Sequence, residues 1–299
     1  MLEVSNLRKS FGETVAVDGL SFTIEPGEIM GLIGQNGAGK TTTFRLVLNL
    51  LVANAGQTLW NGESIGEGLL DNIGYLPEER GLDEKLTVEQ QLLYLGQLNG
   101  MTKREVTESI DIWMERFQVK GERKDKISSL SKGNQQKVQL IATLMHEPDL
   151  IILDEPFSGL DPVNAELLED GIRHAAKRGA SIIFSSHNMA NVESLCQSVV
   201  MLKNGRQVLG GTIDEVKSLF ERLKIYLEAP ITTAELEAIS GVQSVEQLDA
   251  RHRLIHIEQE AVGRDVFEAA HQSGTVYQFS QQAPTLEEIF KERAVESNE

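Results

Sequence analysis

Cysteine is nearly absent: the 299 residues contain one, Cys196. An internal disulfide and a metal site of clustered thiolates are therefore excluded. Cys196 sits in an amphipathic stretch, Val192 to Val199, where it reads as a buried structural thiol. No apolar run approaches the roughly 20 residues of a membrane-spanning helix, and Met1-Leu2-Glu3-Val4 reads as a strand rather than a basic and apolar leader. A reducing cytoplasm is the expected setting. Basic side chains are also scarce, 28 Lys and Arg against 45 Asp and Glu, for a formal net charge of −17. A surface that acidic repels phosphate backbones at long range, so nucleic acid is not an expected partner. No internal repeat or low-complexity segment stands out.

What the chain does contain is a phosphate-binding loop. Gly34-Gln35-Asn36-Gly37-Ala38-Gly39-Lys40-Thr41 fits G-x-x-x-x-G-K-T, between an apolar strand (Ile29 to Ile33) and an apolar helix (Thr42 to Leu51). Glycines let the backbone turn tightly and aim successive N–H groups at a polyphosphate, and the helix adds its positive end. Asn36, Gly37, Ala38, Gly39, Lys40, Thr41 and Thr42 are the expected phosphate contacts. Lys40 supplies a full charge near the β- and γ-phosphates, and the Thr41 hydroxyl is the natural Mg²⁺ ligand.

Around that loop the pattern changes several times. Leu2 to Leu7, Thr14 to Val17 and Leu20 to Ile24 alternate between Gly12, Gly19 and Pro26-Gly27, reading as a small antiparallel sheet. Residues 57 to 65 read as a hairpin and Ile73 to Leu76 as a buried strand. Apolar residues then recur at helical spacing (Val88, Leu92, Leu95, Val106, Ile110, Trp113, Met114, Phe117), a helical insertion within about residues 83–147. Leu150 to Leu153 and Ile182 to Phe184 are all-apolar strands ending in polar residues, which implies a mostly parallel sheet with ligands at its carboxyl ends. After about Ser218 strands and helices follow in β-α-β-β-α-β order: Leu223 to Leu227, Thr233 to Ile239, Val242 to Leu248, Leu254 to Ile257, Ala261 to Gln272, Val276 to Phe279. That order suggests a ferredoxin-like α+β module with a trailing helix at Leu286 to Glu292.

The strand Leu150-Ile151-Ile152-Leu153 delivers Asp154 and Glu155. Adjacent side chains point different ways, so Asp154 can hold the Mg²⁺ shell while Glu155 polarises an attacking water. With these residues in view, residues 1–218 resemble the nucleotide-binding subunit of ATP-binding-cassette (ABC) transporters. The most specific element is Leu130-Ser131-Lys132-Gly133-Asn134-Gln135-Gln136, similar to the signature L-S-G-G-Q, ahead of a helical stretch from Lys137 to Met145. The resemblance implies that Ser131, Gly133 and Asn134 face the γ-phosphate held by another subunit. Lys132 and Asn134 depart from the common glycine and glutamine. Ser158-Gly159-Leu160-Asp161 resembles the D-loop, and His187 resembles the switch histidine that senses the γ-phosphate. Phe11 resembles the aromatic that stacks on adenine, with Val17 against the same base edge. Glu78, in Pro77-Glu78-Glu79-Arg80-Gly81, stands where the family usually has glutamine, close enough to approach Mg²⁺; Glu79 and Arg80 are alternatively a surface ion pair.

What the resemblance implies is an α/β P-loop ATPase core with antiparallel and helical subdomains, using ATP and Mg²⁺, closing as a homodimer or heterodimer. With no membrane segment of its own, such a chain powers a separate permease at the cytoplasmic face of the membrane. Residues 219–299 resemble the appendage of two-component exporters, including sodium-extrusion and drug-resistance systems; carrying no catalytic constellation, they are expected to support the dimer, with ligand sensing as the alternative. The alternative reading, an ABC ATPase acting on ribosomes or DNA, fits less well, because there is one cassette and no long coiled coil between Thr41 and Leu130. A purely regulatory module conflicts with an intact Glu155.

Overall fold

The structure, a computed structural model, describes residues 1–79 and 81–295. Arg80, and with it the Glu79–Arg80 ion pair, lies outside the described residues. Backbone contacts divide the chain into two units, Met1–Thr212 and Ile213–Glu299.

The first unit opens with β1 (Leu2–Phe11) and β2 (Thr14–Ile24), paired antiparallel. Each is one long strand where the glycine pattern suggests shorter pieces. Gly19 is accommodated as an extra residue, between the Leu7–Leu20 and Arg8–Asp18 pairs, at φ 74°; a glycine bulge bends a strand without ending it. β3 (Ile29–Gly34) is buried throughout and runs into the phosphate loop and α1 (Lys40–Val47), which begins and ends earlier than its apolar run. β4 (Ala55–Trp60) and β5 (Glu63–Ser64) form the expected hairpin and complete a four-stranded sheet in the order β2-β1-β4-β5. β6 (Ile73–Leu76) leads to three helices, α2 (Val88–Leu98), α3 (Lys103–Arg116) and α4 (Lys132–Leu144). Reciprocal side-chain caps start the first two, Thr87 with Gln90 and Thr102 with Glu105. α4 starts five residues before its apolar pattern because Ser131 caps it.

β7 (Leu150–Leu153), α5 (Pro162–Lys177), β8 (Ser181–Ser186), α6 (Met189–Leu195), β9 (Ser198–Lys203) and β10 (Arg206–Thr212) complete the unit. The main sheet has the order β10-β9-β3-β8-β7-β6, parallel except for the β10–β9 pair. One core cluster, including Leu7, Leu20, Phe44, Ile152 and Ile183, packs residues of both sheets together. The carboxyl ends of β3, β8, β7 and β6 therefore stand side by side, each followed by a motif residue. Cys196 is buried, and burial pushes its thiol pKa up.

The second unit holds α7 (Ile213–Ser218), which a boundary at Ser218 assigns to the first. The sequence boundary follows the onset of strand pattern, whereas the division of contacts follows the end of β10. The module continues as β11 (Lys224–Glu228), α8 (Thr233–Glu237), β12 (Val242–Gln247), β13 (His252–Ile257), α9 (Val262–Ser273), β14 (Gln278–Gln282) and α10 (Leu286–Val295). Its sheet is antiparallel in the order β12-β13-β11-β14, the split-βαβ arrangement. Ile225, Leu227, Leu236, Ile255, Ile257, Val266 and Ala270 form its own core. Among the described residues, no helix is long and apolar enough to cross a membrane.

Candidate nucleotide site

β3 ends in a loop that the backbone itself shapes. Gly39 has φ 106°, and a Cβ there would lie 2.4 Å from the Ala16 carbonyl oxygen, so only glycine fits. Asn36 and Gly37 are exposed at the loop's outer side, Ala38 and Gly39 are buried, and Thr41 and Thr42 are half-buried. Lys40 is 7% exposed, with its ammonium donating to the Gly34 carbonyl at 2.8 Å and the Gln35 carbonyl at 3.4 Å. Glu155 Oε1 is the charge paired with it, 3.9 Å away. A buried cation held mainly by carbonyl dipoles is complementary to a phosphate.

The two carboxylates at the end of β7 divide as alternation demands. Asp154 is 1% exposed, and its backbone N–H donates to the Leu76 carbonyl at 2.8 Å. Its Oδ2 accepts from the Thr41 hydroxyl at 2.7 Å and its Oδ1 from the Ser185 hydroxyl at 2.7 Å. Glu155 turns aside through a left-handed backbone, φ 49°, and its Oε2 lies 2.8 Å from His187 Nδ1. The histidine is largely exposed, whereas the glutamate is largely covered. Lys40, Thr41, Asp154, Glu155 and His187 thus converge from three adjacent strand ends. The hydroxyl and carboxylate of Thr41 and Asp154 are hard oxygen donors suited to Mg²⁺. Among the described residues, no group of three or more His, Cys, Asp or Glu could hold a metal alone, so phosphate and water would have to complete the shell.

Phe11 is 50% exposed near the turn of the β1–β2 hairpin, with Lys9 Nζ 5.2 Å from its ring centre. Its free face can stack. Val17 cannot touch a base: it is 0% exposed in the core while Val15 is exposed, because Ala16 is an extra residue between the Ser10–Val15 and Lys9–Val17 pairs and that bulge puts the two valines on opposite faces. The residue that sequence reasoning missed here is Ala16, whose carbonyl backs the phosphate loop at Gly39 and the β9–β10 turn at Gly205. Glu78 is exposed, two residues beyond the carbonyl that holds the Asp154 N–H.

Ser131, Gly133, Asn134 and Asp161 form a second locus. Ser131 Oγ accepts from the Asn134 backbone N–H at 3.3 Å and from its side-chain amide at 3.0 Å, while Asn134 Oδ1 accepts from the Lys120 N–H at 2.9 Å. Asn134 is thereby engaged inside the chain, leaving Ser131 exposed and Gly133 half-exposed. A Cβ on Gly133 would lie 3.5 Å from Asn164 Nδ2, which donates to Asp161 Oδ2 at 2.6 Å. Asp161 also caps α5. A 3.5 Å bond from Gln136 Nε2 to the Pro156 carbonyl ties α4 to the residue after Glu155.

Residues 17–158 match the ABC transporter family, and residues 211–294 match the C-terminal domain of DrrA1-3-like ATP-binding proteins. The ABC transporter ATP-binding protein YhaQ of Bacillus subtilis (strain 168) is 40% identical over 293 residues, covering 98% of each chain. The Nod factor export ATP-binding protein I of Rhizobium sp. (strain N33) is 35% identical over 214 residues, 71% of this chain and 70% of that one. A solved ATP-binding subunit of an ABC transporter superimposes with a TM-score of 0.69 at 32% identity, covering 73% of this chain and 92% of that one. The chain belongs to the ATP-binding subunits of ABC transporters, a family that hydrolyses ATP to power transport.

Proposed function

We propose that this chain is the Mg²⁺-dependent ATPase subunit of an exporter, working in pairs against a separate permease at the cytoplasmic face of the membrane. The observation that carries the reading is the convergence of Lys40, Thr41, Asp154, Glu155 and His187 at neighbouring strand ends. Export is supported by the exporting relative. Lys40 and the loop N–H groups bind the β- and γ-phosphates; Thr41 and Asp154 would hold Mg²⁺, which when bound neutralises triphosphate charge. Glu155 orients the attacking water and draws on its proton, while His187 steadies the carboxylate and can follow the γ-phosphate.

Ser131 is exposed at the N-terminus of α4 with Gly133 half-exposed in its first turn, which suits a phosphate held by a second copy or a homologue. Closure over ATP and reopening after hydrolysis then form a population switch driven by the tighter contacts of the closed pair. Residues 219–299 act as an accessory domain supporting that pair. Purification of the tagged, Lys40-intact chain from native membranes should bring down a membrane-spanning protein and show Mg²⁺-dependent phosphate release. Recovery with ribosomes or DNA and no membrane protein would refute the assignment.

A further inference from the structure

β8 is apolar from Ile182 to Phe184 and then places Ser185 at 0% exposure. A buried hydroxyl needs partners, and this one bridges the two carboxylate residues. It donates to Asp154 Oδ1 at 2.7 Å and accepts the Glu155 backbone N–H at 2.8 Å. Because Thr41 holds the other Asp154 oxygen at 2.7 Å, two hydroxyls on different elements set the plane of that carboxylate. At Glu155 the same oxygen grips the backbone at the left-handed turn, φ 49°, a conformation non-glycine residues seldom adopt. That turn directs the Glu155 side chain toward Lys40 and His187. Ser186, the next residue, bonds instead to Asn188 at the start of α6.

The geometry points to Ser185 as a positioning residue: one hydroxyl keeps Asp154 turned toward Thr41 and keeps Glu155 aimed at the water it activates. This assignment rests on the ATPase reading above. It predicts two separable effects, one on metal affinity through Asp154 and one on turnover through Glu155. Binding of metal-free nucleotide depends on Lys40 and the loop, which Ser185 does not touch.

The test compares Ser185→Ala, Ser185→Cys and Ser185→Thr in steady-state ATPase assays and in calorimetric titrations of ADP with and without Mg²⁺. Ser185→Ala should lower kcat about ten- to a hundred-fold while the KM for ATP changes less than about threefold. It should raise the Mg²⁺ midpoint for ADP binding by about threefold or more and leave metal-free ADP affinity within about twofold. Cysteine, close in size but a weak hydrogen-bonding group, should behave like alanine, and threonine should restore most of both effects. In a Glu155→Gln background, Ser185→Ala should cost less than about a further twofold in kcat, since its effect on turnover runs through Glu155. Unchanged turnover and Mg²⁺ midpoint in Ser185→Ala would overturn the proposal, as would an undiminished loss on top of Glu155→Gln. Equal loss of metal-free ADP binding would mark general packing damage and overturn it as well. Wild-type protein without Lys40-dependent turnover would instead overturn the ATPase reading, and the Mg²⁺ midpoint would still decide the Asp154 half.

Discussion

Replacing Glu155 by glutamine keeps the shape of the side chain and removes its charge and its basicity. The backbone demand is unchanged, because the left-handed turn at φ 49° and the N–H bond to Ser185 do not involve the carboxylate. What changes is the bond to His187 at 2.8 Å and the contact of 3.9 Å to Lys40. A positioned general base contributes about 10²- to 10⁴-fold, so turnover should fall by that factor, or about 2.7 to 5.4 kcal/mol at 1.36 kcal/mol per decade. Nucleotide binding should move the other way. Glu155 competes with phosphate for Lys40 and repels the triphosphate, and its neutralisation should tighten ATP binding by up to about tenfold, about 1.4 kcal/mol. The mutant should therefore accumulate as an ATP-bound dimer. Phosphate-release kinetics combined with size-exclusion chromatography in Mg-ATP read both quantities on one preparation. Turnover within about threefold of wild type would refute the role given to Glu155.

Phe11→Ala should weaken ATP and GTP alike, by about 1 to 3 kcal/mol in direct binding, because a ring face stacks on any purine; loss of ATP binding with GTP binding intact would contradict stacking. Glu78→Gln removes one exposed negative charge just beyond the end of β6 and should shift the Mg²⁺ dependence of ATPase activity, which a metal titration of initial rates reads; an unchanged profile would make Glu78 an ordinary surface carboxylate. Truncation after Thr212 keeps both sheets and the whole phosphate loop, so the remaining chain should bind ATP yet need higher concentration for full specific activity. Superimposable curves of specific activity against concentration would remove the dimer-supporting role from the second unit.

The sequence singled out the residues that the fold brings together, Lys40, Thr41, Asp154, Glu155 and His187, more fully than the strands that frame them, and the reason is physical. A phosphate loop needs glycine where side chains collide, as at Gly39, and a lysine and hydroxyl at fixed spacing, so the constraint is written in consecutive letters. The two carboxylates are legible for the same reason, since an apolar run that ends in Asp154-Glu155 has no packing motive to do so. Val17 shows where such reading stops: its face is set by the irregularities at Ala16 and Gly19 in its pairing with β1, which no local pattern records. Ser185 shows a second limit. As a letter it is one serine beside another ahead of His187, and its importance comes from lying between Asp154 and Glu155, contributed by the neighbouring strand. A hydroxyl that acts across strands leaves no periodic or consecutive trace. Residues of this kind are found by asking how each buried polar atom in a structure is satisfied, and then whether its partner is chemically active.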